Sequence, residues 1–264
     1  MKHVGVIGAG VMGEALIAAL ISYGVSPESI VISEKRKDRA DELTARYSIV
    51  SQELAANVAA ADAILLVVKP QDMASVLDEI KSSINKQAVV ITFAAGKKIS
   101  FIEQGLGTEN PVVRVMPNTP TLVGAGMAAV SLGARVSAEQ ADFVTGFLAA
   151  TGKVIQVAED LQDAVTATSG SGPAYFFRFV EAMVAGAKEL GLSDQDATTL
   201  TVQTIVGAAK LLDQSGKSAT TLRENVTSPN GTTAAALTSF ENDHIGNVVS
   251  KAMKAARDRS QELA

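Results

Sequence analysis

The sequence predicts an α/β domain of the Rossmann type in residues 1–158, followed by an all-α domain in residues 159–264. Short β-branched runs alternate with alanine-rich stretches up to about Ala158, a pattern typical of βαβ units around a parallel sheet. A glycine-rich turn follows the first of these runs. Beyond Glu159, apolar residues recur only at helical spacing, which predicts helices and no further strand.

The predicted strands share β-branched residues and are separated by segments with room for a helix. They are His3–Ile7, Ile30–Ser33, Ala63–Val68, Ala88–Phe93, Val112–Met116, Gly126–Leu132 and Lys153–Val157. In the second domain, helices are predicted within residues 161–190, 197–212 and 246–263. Gly191 with Ser193, and residues 216–218, have the composition of a helix end followed by a new helix start.

The composition limits the classes of function. The net charge is −5, and no basic cluster carries interleaved aromatic residues, so nucleic acid is excluded as a partner. The chain contains no cysteine, which rules out disulfides and thiolate ligands, and no metal site is predicted. No apolar run approaches the roughly 18 residues that would span a bilayer. We therefore expect a cytoplasmic protein with neither a membrane nor a nucleic-acid partner.

A glycine-rich turn follows the first predicted strand, which ends at Ile7. It has the pattern GxGxxG and consists of Gly8, Ala9, Gly10, Val11, Met12 and Gly13. The first glycine permits a tight turn, the second lets a pyrophosphate approach the backbone, and the third allows close helix packing. The phosphates would lie at the N-terminus of the helix that follows. The motif therefore predicts a dinucleotide-binding domain.

The end of the second predicted strand bears on which dinucleotide is bound. Glu34 lies 21 residues after Gly13 and is followed by Lys35 and Arg36. A carboxylate here would accept hydrogen bonds from the ribose hydroxyls of NAD, whereas basic residues would hold the additional phosphate of NADP. With Glu34 turned away and the basic residues facing the ribose, we expect NADPH to be preferred and NADH to be used as well.

Two further strand ends are predicted to border the nicotinamide. Ligands of open α/β sheets bind at the carboxyl ends of the strands. Small residues there leave room for a flat ring to approach the backbone. The residues concerned are Val67, Val68, Lys69 and Pro70 after one strand, and Phe93, Ala94 and Ala95 after the next.

Three other segments resemble one family specifically. They are Met116–Pro120, the segment from Asp163 to Tyr175 that contains SGSGPAY, and Thr227–Thr233, which reads TSPNGTT. Together they resemble pyrroline-5-carboxylate reductases, in the same order and spacing over essentially the whole chain. The resemblance implies that NAD(P)H reduces the cyclic imine of 1-pyrroline-5-carboxylate to L-proline, the last step of proline biosynthesis.

The resemblance also implies individual site residues. Thr233 matches the residue whose hydroxyl contacts the ring nitrogen, so its catalytic role is to orient that nitrogen, and whether it also donates the proton stays open. Substrate contacts are implied for Glu159, Ser228, Asn230, Gly231, Thr232 and Thr233, and cofactor contacts for Asn118 and Asn225. Residues 228–233 also have the composition of a turn that opens a helix, whose free N–H groups suit a carboxylate.

The sequence departs from the family at Asn230, where a second glycine is common after the proline. Asparagine is the residue that best replaces glycine in a left-handed conformation, so we expect the turn to survive.

Helices of the second domain carry small and apolar residues on more than one face, as in residues 182–187. An intersubunit interface would account for this pattern, so residues 159–264 are predicted to be an all-α dimerisation domain. The resemblance implies a homodimer, and a ring of dimers such as a decamer as a larger assembly.

Two alternative functions stay open. A β-hydroxyacid dehydrogenase needs a catalytic lysine on the helix after the glycine-rich segment, but no lysine occurs between Gly172 and Lys188. A non-catalytic NAD(P)-binding sensor would use its second domain only for dimerisation and partner contact, and would have no need of residues 228–233. Oxidation of NADPH with pyrroline-5-carboxylate, and not with simple 2-keto or 3-hydroxy acids, would separate these alternatives.

Overall fold

The computed structural model describes Met1 and residues 3–263. By their internal contacts these residues form two compact units. Unit 1 comprises residues 1–173 and 255–264, and unit 2 comprises residues 174–254. No helix in the described part of the chain combines the length and apolar character needed to cross a membrane.

Unit 1 contains one sheet, which has eight strands within the described residues, in the order β3–β2–β1–β4–β5–β6–β7–β8. The strands are β1 (Val4–Ile7), β2 (Ile30–Ser33), β3 (Val50–Ser51), β4 (Ala63–Leu66), β5 (Val89–Thr92), β6 (Val112–Met116), β7 (Gly126–Leu132) and β8 (Gly152–Gln156). The first six are parallel and have the strand order of a Rossmann sheet. The predicted α/β fold is therefore confirmed.

Strand β7 corrects the expectation of a wholly parallel sheet, because it runs antiparallel to β6. Parallel neighbours need a crossover of roughly a dozen residues or more, and residues 117–125 hold only a short 3₁₀ turn, Thr119–Val123. Strand β3 was not predicted, because two residues are too few to show the alternation of a strand.

Helices cover both faces of the sheet. In unit 1 they are α1 (Val11–Tyr23), α2 (Lys37–Tyr47), α3 (Leu54–Ala60), α4 (Met73–Ile80), α5 (Ile99–Leu106), α6 (Ala138–Ala149) and α7 (Gln162–Val165). Successive residues of a strand point to opposite faces. Thus Ile91 is buried with Leu16 of α1 and Phe147 of α6, while Val90 is buried with Leu77 of α4. Packing on both faces keeps the carboxyl ends of the neighbouring strands β1, β4 and β5 together at one edge of the sheet.

All regular secondary structure in the described residues of unit 2 is helical. Its helices are α8 (Gly172–Glu189), α9 (Asp194–Gln214), α10 (Ala219–Asn225), α11 (Thr232–Asn242) and the first part of α12 (Ile245–Glu262). The predicted breaks are confirmed: Gly191 ends α8 with φ 98°, and the Ser193 hydroxyl accepts the Asp196 N–H at 3.1 Å to start α9. Ser218 caps α10 in the same way, although that short helix itself was not predicted.

The contact-based division differs from the predicted one after residue 158. Residues 159–173 stay with the sheet, because Gln162 of α7 is fully buried and its amide nitrogen donates to Ala129 O and to Ser131 Oγ of β7. The predicted helical stretch 161–190 is also interrupted, since a π-helical turn, Thr166–Gly170, lies between α7 and α8. The end of α12 returns to unit 1 through Ser260, whose hydroxyl donates to Asp163.

Candidate cofactor and substrate sites

The glycine-rich turn between β1 and α1 has the geometry that its sequence predicts. Gly8 has φ 87°, and its N–H donates to Ser33 O at 3.0 Å. A Cβ on Gly13 would lie 2.5 Å from Gly8 O, so only glycine lets α1 begin this close to the turn. A Cβ on Gly10 would meet no atom within 4 Å. The side of the turn where a pyrophosphate would approach is therefore open.

Helix α1 begins directly after this turn, and no side chain caps its N-terminus among the described residues. Val11 is exposed, Met12 is half-buried, and Ile7 is buried in the sheet. Unpaired N–H groups at a helix N-terminus attract anions. The open side of Gly10 and the uncapped helix together fit the pyrophosphate of a dinucleotide.

Glu34, just after β2, points into the glycine-rich turn. Its Oε2 accepts the Ala9 N–H at 2.8 Å, and its Oε1 accepts the Arg36 N–H at 3.0 Å. The Glu34 side chain is only 12% exposed, whereas that of Arg36 is 62% exposed. The expectation that Glu34 turns away from the ribose position is wrong, because the backbone of the turn binds its carboxylate. Lys35 and Arg36 stay exposed, and Arg36 Nε lies 3.8 Å from Glu34 Oε1.

A second clamp on the turn was missed by the sequence analysis. The Arg39 Nε of α2 donates to Ala9 O at 3.1 Å, and Arg39 also pairs with Glu14 of α1. Arg46 and Tyr47 bind the same Glu14 carboxylate. Burial alone would raise the pKa of Glu14, but the hydrogen bonds from Arg39, Tyr47 and Arg46 outweigh it and hold that pKa below the usual value of a glutamate. Arg39 also pairs with Glu42, three residues along α2, but that helical spacing does not reveal the contacts that α2 makes with Glu14 of α1.

The ends of β4 and β5 lie at the same edge of the sheet as the turn. Val67 N–H donates to Ile7 O at 2.9 Å, and Phe93 N–H donates to Leu66 O at 3.1 Å. Val68 and Lys69 follow, and Pro70 begins a 3₁₀ turn, Pro70–Asp72. Ala94 is buried and Ala95 half-buried. The structure thus brings the residues predicted to border the nicotinamide together around the glycine-rich turn.

Two other predicted site residues have internal partners. The Asn118 amide nitrogen donates to Ser169 O at 3.1 Å, and its oxygen accepts the Met127 N–H at 2.8 Å. Glu159 Oε1 accepts the Ile99 N–H at 2.6 Å and lies 3.5 Å from Arg114 Nη1. These contacts give both side chains a structural task in unit 1, and their contacts with cofactor or substrate stay predictions.

In unit 2, the predicted substrate residues form one turn at the start of α11. Gly231 N–H donates to Ser228 O at 3.0 Å, with Pro229 and Asn230 at the centre of the turn. Asn230 has φ 59°, so the left-handed conformation expected from its replacement of glycine is confirmed. A Cβ on Gly231 would lie 2.4 Å from Ser228 Oγ, so the hydroxyl of Ser228 rests directly on Gly231.

Helix α11 has no side-chain cap among the described residues, and its first turn begins with exposed Thr232 and half-buried Thr233. Its first N–H groups can therefore receive an anion such as a carboxylate. Asn225 is exposed at the end of α10, a short distance along the chain. Within the described residues, no group of three or more His, Cys, Asp or Glu side chains is arranged to hold a metal ion.

Comparison with known proteins covers both units. Residues 159–263 match the family described as pyrroline-5-carboxylate reductase dimerisation. Residues 3–96 match the family described as NADP oxidoreductase coenzyme F420-dependent. A pyrroline-5-carboxylate reductase of Corynebacterium melassecola is 41% identical over 267 residues, which cover 100% of this chain and 99% of that protein. One from Pseudomonas aeruginosa is 40% identical, over 98% of this chain and 95% of that protein.

Solved structures of pyrroline-5-carboxylate reductases are also similar to this chain. A pyrroline-5-carboxylate reductase of Coxiella burnetii has a TM-score of 0.90 and 34% identity, over 100% of this chain and 98% of that chain. The pyrroline carboxylate reductase of Plasmodium falciparum, solved with NADP bound, also has a TM-score of 0.90, with 29% identity over 99% of this chain and 98% of that one.

Proposed function

Because the chain belongs to the pyrroline-5-carboxylate reductase family, we propose that it catalyses transfer of a hydride from NADPH or NADH to the C=N bond of 1-pyrroline-5-carboxylate. One hydride adds to the imine carbon and one proton to the nitrogen, so the product is L-proline. This is the last step of proline biosynthesis.

Unit 1 holds the cofactor in this proposal. The open side of Gly10 and the uncapped N-terminus of α1 receive the pyrophosphate. The cofactor, when bound, supplies the hydride. Glu34, which contacts the glycine-rich turn, would accept hydrogen bonds from the adenosine ribose, and the exposed guanidinium of Arg36 would pair with a 2′-phosphate. This combination supports use of NADP(H), and of NAD(H) as a second cofactor.

The turn Ser228–Gly231 in front of an uncapped α11 is the observation that carries the substrate assignment. The substrate is a small ring with one carboxylate. Free N–H groups of the first turn of α11, together with the Ser228 hydroxyl, provide donors for that carboxylate. A carboxylate held there fixes the orientation of the ring, and orientation of a small reactant accounts for much of the acceleration of a bimolecular step.

Thr233 orients the ring nitrogen in this arrangement. It occupies the first turn of α11, beside the N–H groups that would bind the carboxylate, and it is half-buried. A hydroxyl both donates and accepts hydrogen bonds, so it can contact the nitrogen whether or not that nitrogen is protonated. An iminium that arrives protonated needs no strong acid, which matches the absence of a histidine among these turn residues.

Assembly into at least a homodimer follows from the apolar surface of unit 2. Large apolar side chains are exposed there, and patches of this kind mark subunit interfaces. They include Phe176, Phe177, Leu200, Leu211 and Val248. The matched dimerisation family supports the same assembly. A ring of dimers such as a decamer, and a cytoplasmic location, stay part of this proposal.

Oxidation of NADPH and NADH, followed by the absorbance of the reduced nicotinamide, tests the function. We expect oxidation with pyrroline-5-carboxylate and formation of proline in equal amount. Simple 2-keto and 3-hydroxy acids should give no reaction. Binding of the cofactor without any reaction on the imine would leave a sensor function instead, and reaction with a 3-hydroxy acid would indicate a dehydrogenase.

A further inference from the structure

Arg114 is a buried cation in the middle of β6 that the proposed reaction does not use. Its side chain is 4% exposed. Burying a guanidinium costs several kcal/mol unless partners compensate for the lost water. Its partners are two carboxylates: Nη1 lies 3.5 Å from Glu159 Oε1, and Nη2 lies 3.4 Å from Asp163 Oδ1. Both carboxylates also bind a second group, and these second contacts lead to the same segment.

Glu159 extends the network to the start of α5. Its Oε1 accepts the N–H of Ile99, the first residue of that helix, at 2.6 Å. The residue in the N-cap position, Lys98, makes no side-chain cap. Glu159 therefore acts as a remote cap, supplying from the segment after β8 the acceptor that the chain lacks locally.

Asp163 extends the network to the end of α12. Its Oδ1 accepts the Ser260 hydroxyl at 2.8 Å, and Ser260 is 2% exposed. A Cβ on Gly96 would lie 2.7 Å from Ser260 O and 2.8 Å from Leu263 Cβ. Gly96 itself has φ 76°. The last residues of α12 thus lie directly against residue 96, in the connection between β5 and α5.

The contacts of Glu159 and of Asp163 hold the same connection, residues 93–98, from two sides. Glu159 binds the N–H of the residue that follows the connection. Asp163 binds Ser260, whose backbone lies against Gly96 inside it. We propose that Arg114, Glu159, Asp163 and Ser260 form a positioning network for hydride transfer, which holds residues 93–98 in the place where the nicotinamide would lie. The assignment of the nicotinamide rests on the proposed function.

Glu159 acquires a different role from the one implied by resemblance. Its oxygen that faces Arg114 is the same atom that caps Ile99. It acts on the reaction through the β5–α5 connection and not by direct contact with the substrate. Misplacement of a reactant by about 1 Å can cost roughly 100-fold in rate, so a small shift of residues 93–98 is sufficient to matter.

Two variants test the network without removing the buried cation. Ser260→Ala breaks the contact with Asp163, and Glu159→Ala removes the cap of Ile99. Glu159→Gln keeps an oxygen that can accept the Ile99 N–H and serves as the conservative variant. Ser250→Ala, an exposed serine on the same helix α12, is the matched control.

Hydrogen exchange of residues 93–101 is the first measurement. We expect faster exchange there in Ser260→Ala and Glu159→Ala, a smaller change in Glu159→Gln, and none in Ser250→Ala. Exchange that matches the wild type, or that rises equally throughout the sheet, overturns the proposal. This measurement needs no substrate, so it stands apart from the outcome of the wild-type assay, whose failure would instead overturn the proposed function.

Kinetics form the second measurement. For Glu159→Ala we expect kcat to fall roughly 10-fold with little change in KM for pyrroline-5-carboxylate, because the ring acid is bound by another turn. Glu159→Gln should restore part of kcat. Faster exchange of residues 93–101 with an unchanged kcat would show that the network does not position these residues for the reaction. A rise in KM alone would likewise contradict it.

Discussion

Two turns of this protein have a similar local structure, but neighbouring residues hold them in place to different degrees. Gly8–Gly13 and Ser228–Gly231 each contain a residue with positive φ and lead into a helix whose N-terminus no side chain caps among the described residues. The first turn is clamped from several sides, by Ser33, Glu34 and Arg39. The second is exposed and is closed by its own residues.

The difference matches the size and charge of the two ligands that we propose for these turns. A dinucleotide extends along the sheet edge, so its phosphate turn must be held in register with β1, β2 and β4. A small ring acid needs only a few donors in one place. A substitution in the supported turn should therefore change binding or stability, whereas one in the exposed turn should change turnover with little effect on folding.

Gly10→Val gives the largest expected effect. The added side chain meets no protein atom near its Cβ, so the fold should persist, but it fills the space left for the pyrophosphate. We expect the Kd for NADPH to rise by roughly 100-fold or more, about 3 kcal/mol. Titration by nicotinamide fluorescence would measure it, and thermal unfolding would show an unchanged Tm.

Gly13→Val is the matched comparison within the same turn. Its Cβ would lie 2.5 Å from Gly8 O, a backbone atom that cannot move aside. Overpacking of this kind costs typically about 1–3 kcal/mol, so this variant should lose stability as well as binding. If Gly10→Val bound NADPH as tightly as the wild type, the turn would not be the phosphate site.

Thr233→Ala probes the first turn of α11, directly after the exposed turn. Loss of the hydroxyl should lower kcat by roughly 10- to 100-fold, since a positioned donor in the transition state contributes on that order or more. The Kd for NADPH and the Tm should stay close to the wild type. Steady-state kinetics with pyrroline-5-carboxylate would measure the change.

Two further variants control this experiment. Thr233→Ser keeps a hydroxyl and should recover most of kcat. Thr238→Ala removes an exposed hydroxyl that bonds to Ala234 O on the same helix, and it should leave kcat unchanged. Wild-type kinetics in Thr233→Ala would remove Thr233 from the mechanism.

Glu34→Gln tests whether the Glu34 carboxylate, which contacts the glycine-rich turn, determines the preference between NADH and NADPH. An amide oxygen can still accept the Ala9 N–H, but the negative charge near the ribose is gone. The ratio of the Kd for NADH to that for NADPH should rise by roughly 10-fold, the factor that corresponds to about 1.4 kcal/mol. Arg36→Ala should shift the ratio in the opposite direction. An unchanged ratio in both variants would mean that neither side chain meets the ribose.

The supported turn was the easier of the two to predict. GxGxxG after a β-branched run specifies the strand, the turn and the helix, because each glycine is required by steric contacts within a few residues of itself. Asn230 was predicted in the same way, since its left-handed conformation is a local property. Strand ends and helix breaks at Gly191 and Ser218 follow from equally local rules.

Contacts between distant segments were the part that the sequence did not reveal. The orientation of Glu34 depends on the N–H of Ala9, 25 positions away, and the Ser260–Asp163 contact joins residues 97 apart. No periodicity or motif reports such pairs. The antiparallel direction of β7 was within reach of the sequence, because the predicted bounds of β6 and β7 leave only residues 117–125 between them and a parallel crossover needs roughly a dozen residues or more.

Glu14→Gln gives the smallest expected effect and tests the outer part of the support around the glycine-rich turn. The pKa of Glu14 is lowered in the folded protein, so the ionised carboxylate contributes stability above the pKa of an unfolded glutamate, and this contribution is lost as the pH falls through the folded pKa. At pH 7 the variant should lose at most about 1 kcal/mol, because Arg39, Arg46 and Tyr47 lose a charged acceptor that solvent partly screens. Urea unfolding at a series of pH values would show the difference from wild type shrinking at acid pH. Glu79→Gln, which replaces an exposed glutamate of α4, is the control and should lose little stability at pH 7. A difference that is independent of pH would mean that the Glu14 contacts act by packing and not by charge.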